Sequence, residues 1–193
     1  MGQTLRVCQA SLKGLPHVLR QYNGLVSAVS EHKQQAPASV GCFVLTVSDT
    51  RTEATDVSGR AIRELLEAAG HHVTAHALVR DEPMAVAAEV ETQLAHSAAD
   101  VIITTGGTGI SSRDGTYDAV TELFEKRLDG FGELFRLLSF NEIGPAAMMS
   151  RAVAGTARRK AMFVLPGSEH AVRLAMTKLI LPELGHIVQQ LRK

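Results

Sequence analysis

The sequence has 193 residues, 45% of them hydrophobic, and its 20 Lys and Arg side chains balance its 20 Asp and Glu side chains. That length suits one well-buried domain. A zero formal charge without a run of like charges gives no general attraction for nucleic acid or anionic membranes, so any phosphate site must be local.

Several classes of protein are excluded by simple patterns. Cys8 and Cys42 are far apart and lack metal-ligand spacing, and His71, His72 and His76 lack matching ligands, so we expect these histidines at solvent-exposed positions. No apolar run approaches the roughly 20 residues that cross a bilayer, and the start lacks the pattern of a signal peptide. We therefore predict a cytoplasmic protein that binds neither nucleic acid nor membranes.

Residues 1–39 are predicted to form an N-terminal extension, followed by a single domain of residues 40–193. Leu15, Val18 and Leu19 have the spacing of one face of an amphipathic helix, but Gly24 falls inside the pattern. The extension is therefore either a helix that packs on a neighbour or a mobile segment, and both interpretations stay open.

Strands and helices alternate along the predicted domain. Four apolar runs have the length of buried strands, and they cover Gly41–Val47, His72–Val79, Val101–Thr105 and Ala161–Leu165. Helical periodicity follows each of the first three runs, with Asp56 or Ser58 as the cap of the first helix. The stretch between Leu128 and Gly155 is predicted to be helical, and Pro182 is predicted to break the C-terminal region into two helices.

This alternation predicts an α/β fold, a three-layer α/β/α sandwich with a largely parallel, doubly wound sheet and right-handed crossovers. Ligands of such sheets bind outside the carboxyl ends of the strands. Four turns leave those ends here, at residues 48–51, 80–83, 106–114 and 166–168.

The turn at residues 106–114 has the composition of an anion-binding site. Gly106, Gly107 and Gly109 permit positive φ angles, and clustered backbone N–H groups are natural phosphate partners. Arg113 adds a charged donor, and Asp114 adds a carboxylate that suits a divalent metal. The turn lacks the Gly-Lys-Ser/Thr ending of a Walker A loop and the G-x-G-x-x-G spacing of dinucleotide folds. A structural loop would be the commoner explanation of the glycines alone, but the charged neighbours favour a functional site.

A series of motifs extends from about residue 40 to the C-terminus. They are T-V-S-D-T-R at 46–51, D-V-S-G at 56–59, D-E at 81–82, T-T-G-G-T-G-I at 104–110, R-D-G-T at 113–116, G-F-G-E-L-F-R at 130–136 and L-P-G-S at 165–168. In type and order they resemble the motifs of the MogA/MoaB family of molybdenum cofactor biosynthesis proteins, the molybdopterin adenylyltransferases. The chain departs from that family's pattern at Gly115, Tyr117 and Asp129, where the family often has Val, Pro and Pro.

The resemblance implies an activity and the residues that carry it. The implied reaction transfers AMP from Mg-ATP to the terminal phosphate of molybdopterin and releases pyrophosphate. Asp81 and Asp114 fall on the family's two acidic functional positions and are implied to be catalytic and to hold Mg²⁺. The implied contacts to molybdopterin and ATP are Ser48, Asp49, Thr50, Gly106, Gly107, Thr108, Gly109, Arg113, Thr116, Glu133, Pro166, Gly167 and Ser168. A homotrimer or homohexamer and a molybdenum-insertion partner protein are also implied.

Structural roles compete with several of these assignments. Asp81, Asp114 and Ser168 are each placed where a residue can simply cap a helix, and Asp49 suits a plain turn. Glu133 can pair with Arg136 one helical step away. For the function, one alternative is a carrier or scaffold of the same fold that binds molybdopterin without adenylylating it. Another is a nucleotide-handling domain like the amino-terminal domain of CinA-like proteins, which ordinarily continues into further sequence.

Overall fold

Six strands form one sheet in the computed structural model, which describes residues 36–95 and 98–193. The strands are β1 (Gly41–Val47), β2 (His72–Val79), β3 (Val101–Thr105), β4 (Lys126–Arg127), β5 (Val153–Ala157) and β6 (Lys160–Leu165). Their order across the sheet is β2-β1-β3-β6-β5-β4. Strands β2, β1, β3 and β6 run parallel to one another, whereas β5 pairs antiparallel with both β6 and β4. The predicted α/β fold with a largely parallel sheet is confirmed.

Helices cover both faces of this sheet. They are α1 (Val57–Ala68), α2 (Pro83–Ala95), α3 (Thr116–Thr121), α4 (Asp129–Ile143), a 3-10 segment (Gly144–Met149), α5 (Glu169–Ala175), a π segment (Met176–Ile180) and α6 (Leu181–Arg192). Alternate residues of β1 enter two separate cores: Val44 packs with α1, α4, α5 and α6, and Leu45 packs with α2 and α3. Every residue of β1 and β3 is buried, as expected for strands that are covered on both faces.

The antiparallel edge was not predicted, because the stretch up to Gly155 was expected to be helical. Strand β5 consists mainly of small residues, which have weak strand preferences. It is joined to β6 by Arg158 and Arg159, with φ angles of 48° and 62°. Two-residue hairpin turns with positive φ at both positions usually contain Asn and Gly. Because this turn consists of two arginines, the sequence carries no signal for it.

The predicted helix break at Pro182 was wrong. The backbone stays helical through the π segment, where Met176 has φ −61° and ψ −52° and Leu181 has φ −58° and ψ −41°. The N–H of Leu181 bonds to the carbonyl of Met176, five residues earlier. Because proline has no N–H and its ring crowds the preceding turn, the wider π turn accommodates Pro182 without ending the helix.

The predicted N-terminal extension lies mostly outside the described residues, which begin at Ala36. Its boundary and its role therefore stay predictions. Within the described part of the chain, no helix combines the length and the apolar character that a membrane span requires.

Candidate functional site

The four predicted turns lie side by side at the carboxyl edge of the parallel strands. The order β2-β1-β3-β6 places the turns after these strands next to one another. Ser48 donates its backbone N–H to the carbonyl of Val79 at 2.9 Å, which joins the turns after β1 and β2. The hydroxyl of Thr105 donates to the carbonyl of Pro166 at 2.9 Å, which joins the turns after β3 and β6. The four turns therefore build one continuous surface.

Two glycines of the turn after β3 have backbone conformations that other residues rarely adopt. Gly106 has φ +101°, and a Cβ atom there would be 2.1 Å from the carbonyl oxygen of Val47. Gly107 has φ +62°, and its Cβ would be 2.1 Å from the Thr116 hydroxyl and 2.7 Å from Oδ1 of Asp81. The absence of side chains lets the backbone approach its neighbours and lets the Asp81 carboxylate lie against the turn.

Asp81 is held at the start of α2 and faces the glycine turn. The hydroxyl of Thr116 lies 3.5 Å from its Oδ1. Burial is the main cause that raises the pKa of Asp81 above its usual value, and the Asp114 and Asp49 carboxylates raise it further. Hydrogen bonds from the Gly115 backbone and from the Thr116 hydroxyl act in the opposite direction and lower this pKa. The net shift of the pKa is upward, which means that the negative charge of Asp81 is disfavoured. A cation beside Asp81 would offset both the cost of burying this charge and the repulsion from the neighbouring carboxylates.

Asp114 lies on the other side of the same turn. Its Oδ2 accepts a hydrogen bond from the backbone of Ser111 at 3.0 Å, and its own N–H donates to the carbonyl of Ser111 at 3.1 Å. A Cβ atom on Gly109 would lie 2.6 Å from Oδ2 of Asp114, so this carboxylate also packs against a glycine. Its side chain is half-buried and does not cap α3, whose N-cap is Gly115.

The predicted ligand contacts Arg113 and Asp49 form an ion pair. Nη2 of Arg113 donates to Oδ2 of Asp49 at 2.7 Å, and both side chains are exposed. The other oxygen of Asp49 lies 3.4 Å from the backbone nitrogen of Asp81. Asp49 thus links the turn after β1 to both of the other acidic turns.

Two cavities lie along the turn between these groups. The first, here called the inner cavity, has a volume of about 300 Å³ and contains seven predicted site residues in its lining: Ser48, Asp49, Thr50, Asp81, Gly106, Gly107 and Gly167. The second, here called the outer cavity, has a volume of about 480 Å³, and Gly109 and Asp114 line it. Each cavity therefore has one of the two predicted catalytic carboxylates in its wall.

The remaining predicted contacts occupy different surroundings. Thr108, Gly109, Pro166 and Ser168 line a smaller cavity of about 210 Å³, and the Ser168 hydroxyl also accepts the N–H of Ala171 as the cap of α5. Thr116 is fully buried and reaches the site through Asp81.

Glu133 lies away from this site. It lines a separate cavity of about 350 Å³ together with Arg127, Arg136 and Arg151. Arg136 donates to the carbonyl of Ala152.

Asp56 is the predicted cap of α1, and the structure gives it a second contact that the sequence did not suggest. Its carboxylate is buried and accepts the Gly59 N–H at 2.9 Å and the Thr46 hydroxyl at 2.6 Å. The ring of His76 is only 10% exposed, with Nε2 3.4 Å from Asp56 and Nδ1 3.3 Å from Glu53. The expected solvent-exposed position of His76 was therefore wrong, because the loop before α1 covers this part of the edge strand β2.

Arg151 is the main site residue that sequence reasoning missed. Its guanidinium donates to the carbonyls of Thr108 and Asp114 at 3.2 and 2.8 Å. It lies in the stretch that was expected to be helical, and no motif spacing connects it with the glycine turn. Arg151 reaches the glycine turn because it lies just before strand β5, which the sequence did not predict.

The donor set suits a hard divalent cation held partly by a substrate. Among residues 36–95 and 98–193, no group of three or more His, Cys, Asp or Glu side chains is arranged to hold a metal ion. Mg²⁺ usually binds proteins through one or two carboxylates and takes its other ligands from water and substrate phosphates. Asp81 and Asp114 fit that pattern.

Proteins of known family share both the sequence and the fold of this chain. A family model described as a probable molybdopterin binding domain matches residues 43–186. Molybdenum cofactor biosynthesis protein B of Bacillus cereus is 52% identical over 167 residues, which cover 86% of this chain and 99% of that protein. A crystal structure of a molybdenum cofactor biosynthesis protein B is also 52% identical, has a TM-score of 0.79, and covers 82% of this chain and 99% of that one.

A more distant structure agrees with these two. The tungsten cofactor synthesizing protein MoaB from Pyrococcus furiosus is 36% identical, with a TM-score of 0.73, and the match covers 82% of this chain and all of that chain. The region matched by the family model includes all four turns of the site.

Proposed function

Because the chain belongs to the MogA/MoaB family of molybdenum cofactor biosynthesis proteins, we propose that it transfers AMP from Mg-ATP to the terminal phosphate of molybdopterin. The observation that carries the proposal is the position of the two carboxylates. Asp81 and Asp114 flank one glycine turn, and each lines a different cavity. A reaction that joins two phosphate-bearing substrates needs two binding spaces that meet at the reacting phosphates.

The chemistry requires no nucleophile from the protein. A terminal phosphate oxygen of molybdopterin attacks the α-phosphorus of ATP and forms a new P–O bond. The bond from the α-phosphorus to the bridging oxygen breaks, and its electron pair leaves with pyrophosphate. The barrier lies mainly in bringing anions together and in positioning them in line.

The described residues supply the positioning. The glycine turn lets the Asp81 carboxylate lie directly against its backbone, and Arg113 can donate to a phosphate once it leaves Asp49. Asp81 and Asp114 would hold Mg²⁺, which supplies charge neutralisation at the phosphates when it is bound. The small cavity beside Pro166 and Ser168 offers a further surface to the bound substrate.

Self-assembly of the chain is part of the same proposal. Large apolar side chains on one stripe of α4 and on the 3-10 segment after it are more than half exposed: Leu134, Leu137, Phe140, Ile143, Met148 and Met149. Their spacing of three residues along α4 makes a continuous face, which would be costly to leave in water. A trimer or hexamer would cover it. A cytoplasmic location and a partner protein for molybdenum insertion also belong to this proposal.

The deciding experiment is incubation of the purified chain with molybdopterin, Mg²⁺ and ATP. Mass spectrometry should detect adenylylated molybdopterin, and a coupled assay should detect an equal amount of pyrophosphate. Binding of molybdopterin without either product would contradict the proposed activity and favour a carrier or scaffold. Omission of Mg²⁺ is the control, and product that forms equally well without Mg²⁺ would contradict the role of the two carboxylates.

A further inference from the structure

The structure assigns Arg151 to the site as a positioning residue for the Asp114 end of the glycine turn. Its guanidinium donates from Nε to the carbonyl of Thr108 at 3.2 Å and from Nη2 to the carbonyl of Asp114 at 2.8 Å. Thr108 and Asp114 are the two ends of the loop that forms one wall of the outer cavity. One planar group therefore joins both ends of the loop. This inference rests on the proposed function, in which Asp114 acts at the reacting phosphates.

The loop between these ends also contacts the turn after β1 through the ion pair of Arg113 with Asp49, but that pair is exposed and should restrain the loop weakly. Residues 109–113 are exposed, and Ile110 is 74% exposed. Inside the loop, Ser111 and Asp114 exchange hydrogen bonds of 3.0 and 3.1 Å. These bonds shape the end of the loop but do not connect it to the rest of the domain. Since ordering an exposed, glycine-containing segment costs conformational entropy, an anchor from another element should decide how narrowly Asp114 is placed.

Arg151 is itself held by the first turn of the next helix. Its Nη1 donates to Oδ2 of Asp118 at 3.1 Å, and its guanidinium carbon lies 4.7 Å from the centre of the Tyr117 ring. Both residues belong to α3, which follows the loop directly. The ion pair and the cation–π contact fix the plane of the guanidinium, so its two other nitrogens, Nε and Nη2, point at the loop carbonyls.

The geometry requires arginine rather than a positive charge alone. Three nitrogens of one guanidinium meet three different acceptors, and the planar fork sets their relative directions. A lysine ammonium is a single point on a flexible stem and cannot hold Thr108 and Asp114 at a fixed separation. We therefore expect Arg151→Lys to keep the charge of the site and to lose most of the positioning.

The test uses two readouts on the full chain, with Arg151→Lys and Arg151→Met as variants. Hydrogen exchange of the backbone amides at 108–114 should become about 10-fold faster or more in both variants, because the loop opens more often. Product formation should fall on the order of 100-fold, and the Mg²⁺ concentration for half-maximal rate should rise, because Asp114 is misplaced by a fraction of an ångström. Exchange of amides in β1 should stay unchanged.

Arg159→Met is the matched control. Arg159 also donates from its guanidinium to two backbone carbonyls, those of Leu191 and Arg192, far from the turns. It should alter exchange near the C-terminus and leave the Mg²⁺ dependence alone. Unchanged exchange at 108–114 in both Arg151 variants would overturn the inference, and so would an equal change of Mg²⁺ dependence in Arg159→Met. If the wild type forms no product, the proposed function fails, and the exchange measurement still tests the anchoring by Arg151.

Discussion

Arg113 and Asp49, which are 64 residues apart, form an ion pair of 2.7 Å between the turns after β3 and β1. Both side chains are exposed, so the pair should contribute little to the stability of the fold. Its position suggests a use in binding instead. We expect a phosphate that enters the inner cavity, which Asp49 lines, to compete with the Asp49 carboxylate for Arg113.

Arg113→Gln should therefore separate activity from stability. We expect the unfolding free energy to change by less than about 0.5 kcal/mol, as for other exposed ion pairs. The KM for ATP should rise roughly 10-fold, because a charge-assisted bond to phosphate is lost. Steady-state kinetics and thermal unfolding measure the two effects. Arg173→Gln, which removes an exposed ion pair of 2.8 Å with Glu169 on α5, is the control and should leave the KM unchanged; an unchanged KM in Arg113→Gln would contradict the role.

Asp114→Asn should retain the fold and lose adenylylation. The amide can still accept the Ser111 N–H, so the loop keeps its local bond, whereas the charge that would hold Mg²⁺ is gone. We expect product formation to fall on the order of 100-fold or more, with a thermal midpoint close to that of the wild type. Glu67→Gln removes an exposed carboxylate of α1 and should have no effect. Near-normal turnover in Asp114→Asn would refute the assigned metal role.

Asp81→Asn should make the metal-free protein more stable at neutral pH. The pKa of Asp81 is raised in the folded state, mainly by burial, so folding favours the protonated carboxyl. The stabilising contribution of that proton is fully present below the usual pKa of 3.8 and is lost as the pH rises through the higher pKa of the folded protein. Asparagine carries no charge and escapes this loss.

Thermal unfolding in a chelator between pH 3 and pH 8 should show this difference between Asp81→Asn and the wild type. The variant should unfold at a higher temperature than the wild type at pH 8, and the difference should shrink towards pH 3. Adding Mg²⁺ and ATP should stabilise the wild type more than the variant. A variant that is less stable than the wild type at pH 8 would show that the hydrogen bonds of the carboxylate outweigh its burial.

Gly107→Ala should damage both the fold and the activity. The added Cβ would lie 2.1 Å from the Thr116 hydroxyl and 2.7 Å from Asp81, and φ is +62°. Gly70→Ala is a matched control, since Gly70 has φ +83° but a Cβ added there would have no atom within 4 Å. Both changes should cost roughly 1–2 kcal/mol of backbone strain. Only Gly107→Ala should also displace Asp81 and abolish product formation, and full activity in that variant would count against the close packing of this carboxylate.

Leu137→Asp should dissociate the proposed oligomer. It puts a charge in the middle of the exposed apolar stripe of α4, where burial against a second copy would leave the charge unpaired. Sedimentation velocity should show a shift from the wild-type assembly to monomer. Ala88→Asp adds the same charge at an exposed position of α2 and should leave the assembly intact. A wild-type chain that sediments as a monomer would remove the support that the apolar stripe lends to self-assembly.

Much of the fold could be predicted from the sequence because its signals are local. Continuous apolar runs such as Gly41–Val47 indicate strands that are covered on both faces, and the sheet confirms this interpretation. Of the three glycines that were expected to permit positive φ, Gly106 and Gly107 adopt it, whereas Gly109 does not. Family membership was also evident, since the motifs occur in order over most of the chain.

The sequence by itself determined the parallel strands, the turns that follow them and the residue types that those turns present. The tertiary structure decided which residues meet: Asp49 with Arg113, Asp81 with Gly107, and Arg151 with both ends of the glycine turn. These contacts follow from the strand order and from the hairpin at Arg158 and Arg159, which returns the chain along β6. Periodicity reports only the local conformation of the backbone, whereas contacts between distant residues depend on how the finished elements pack.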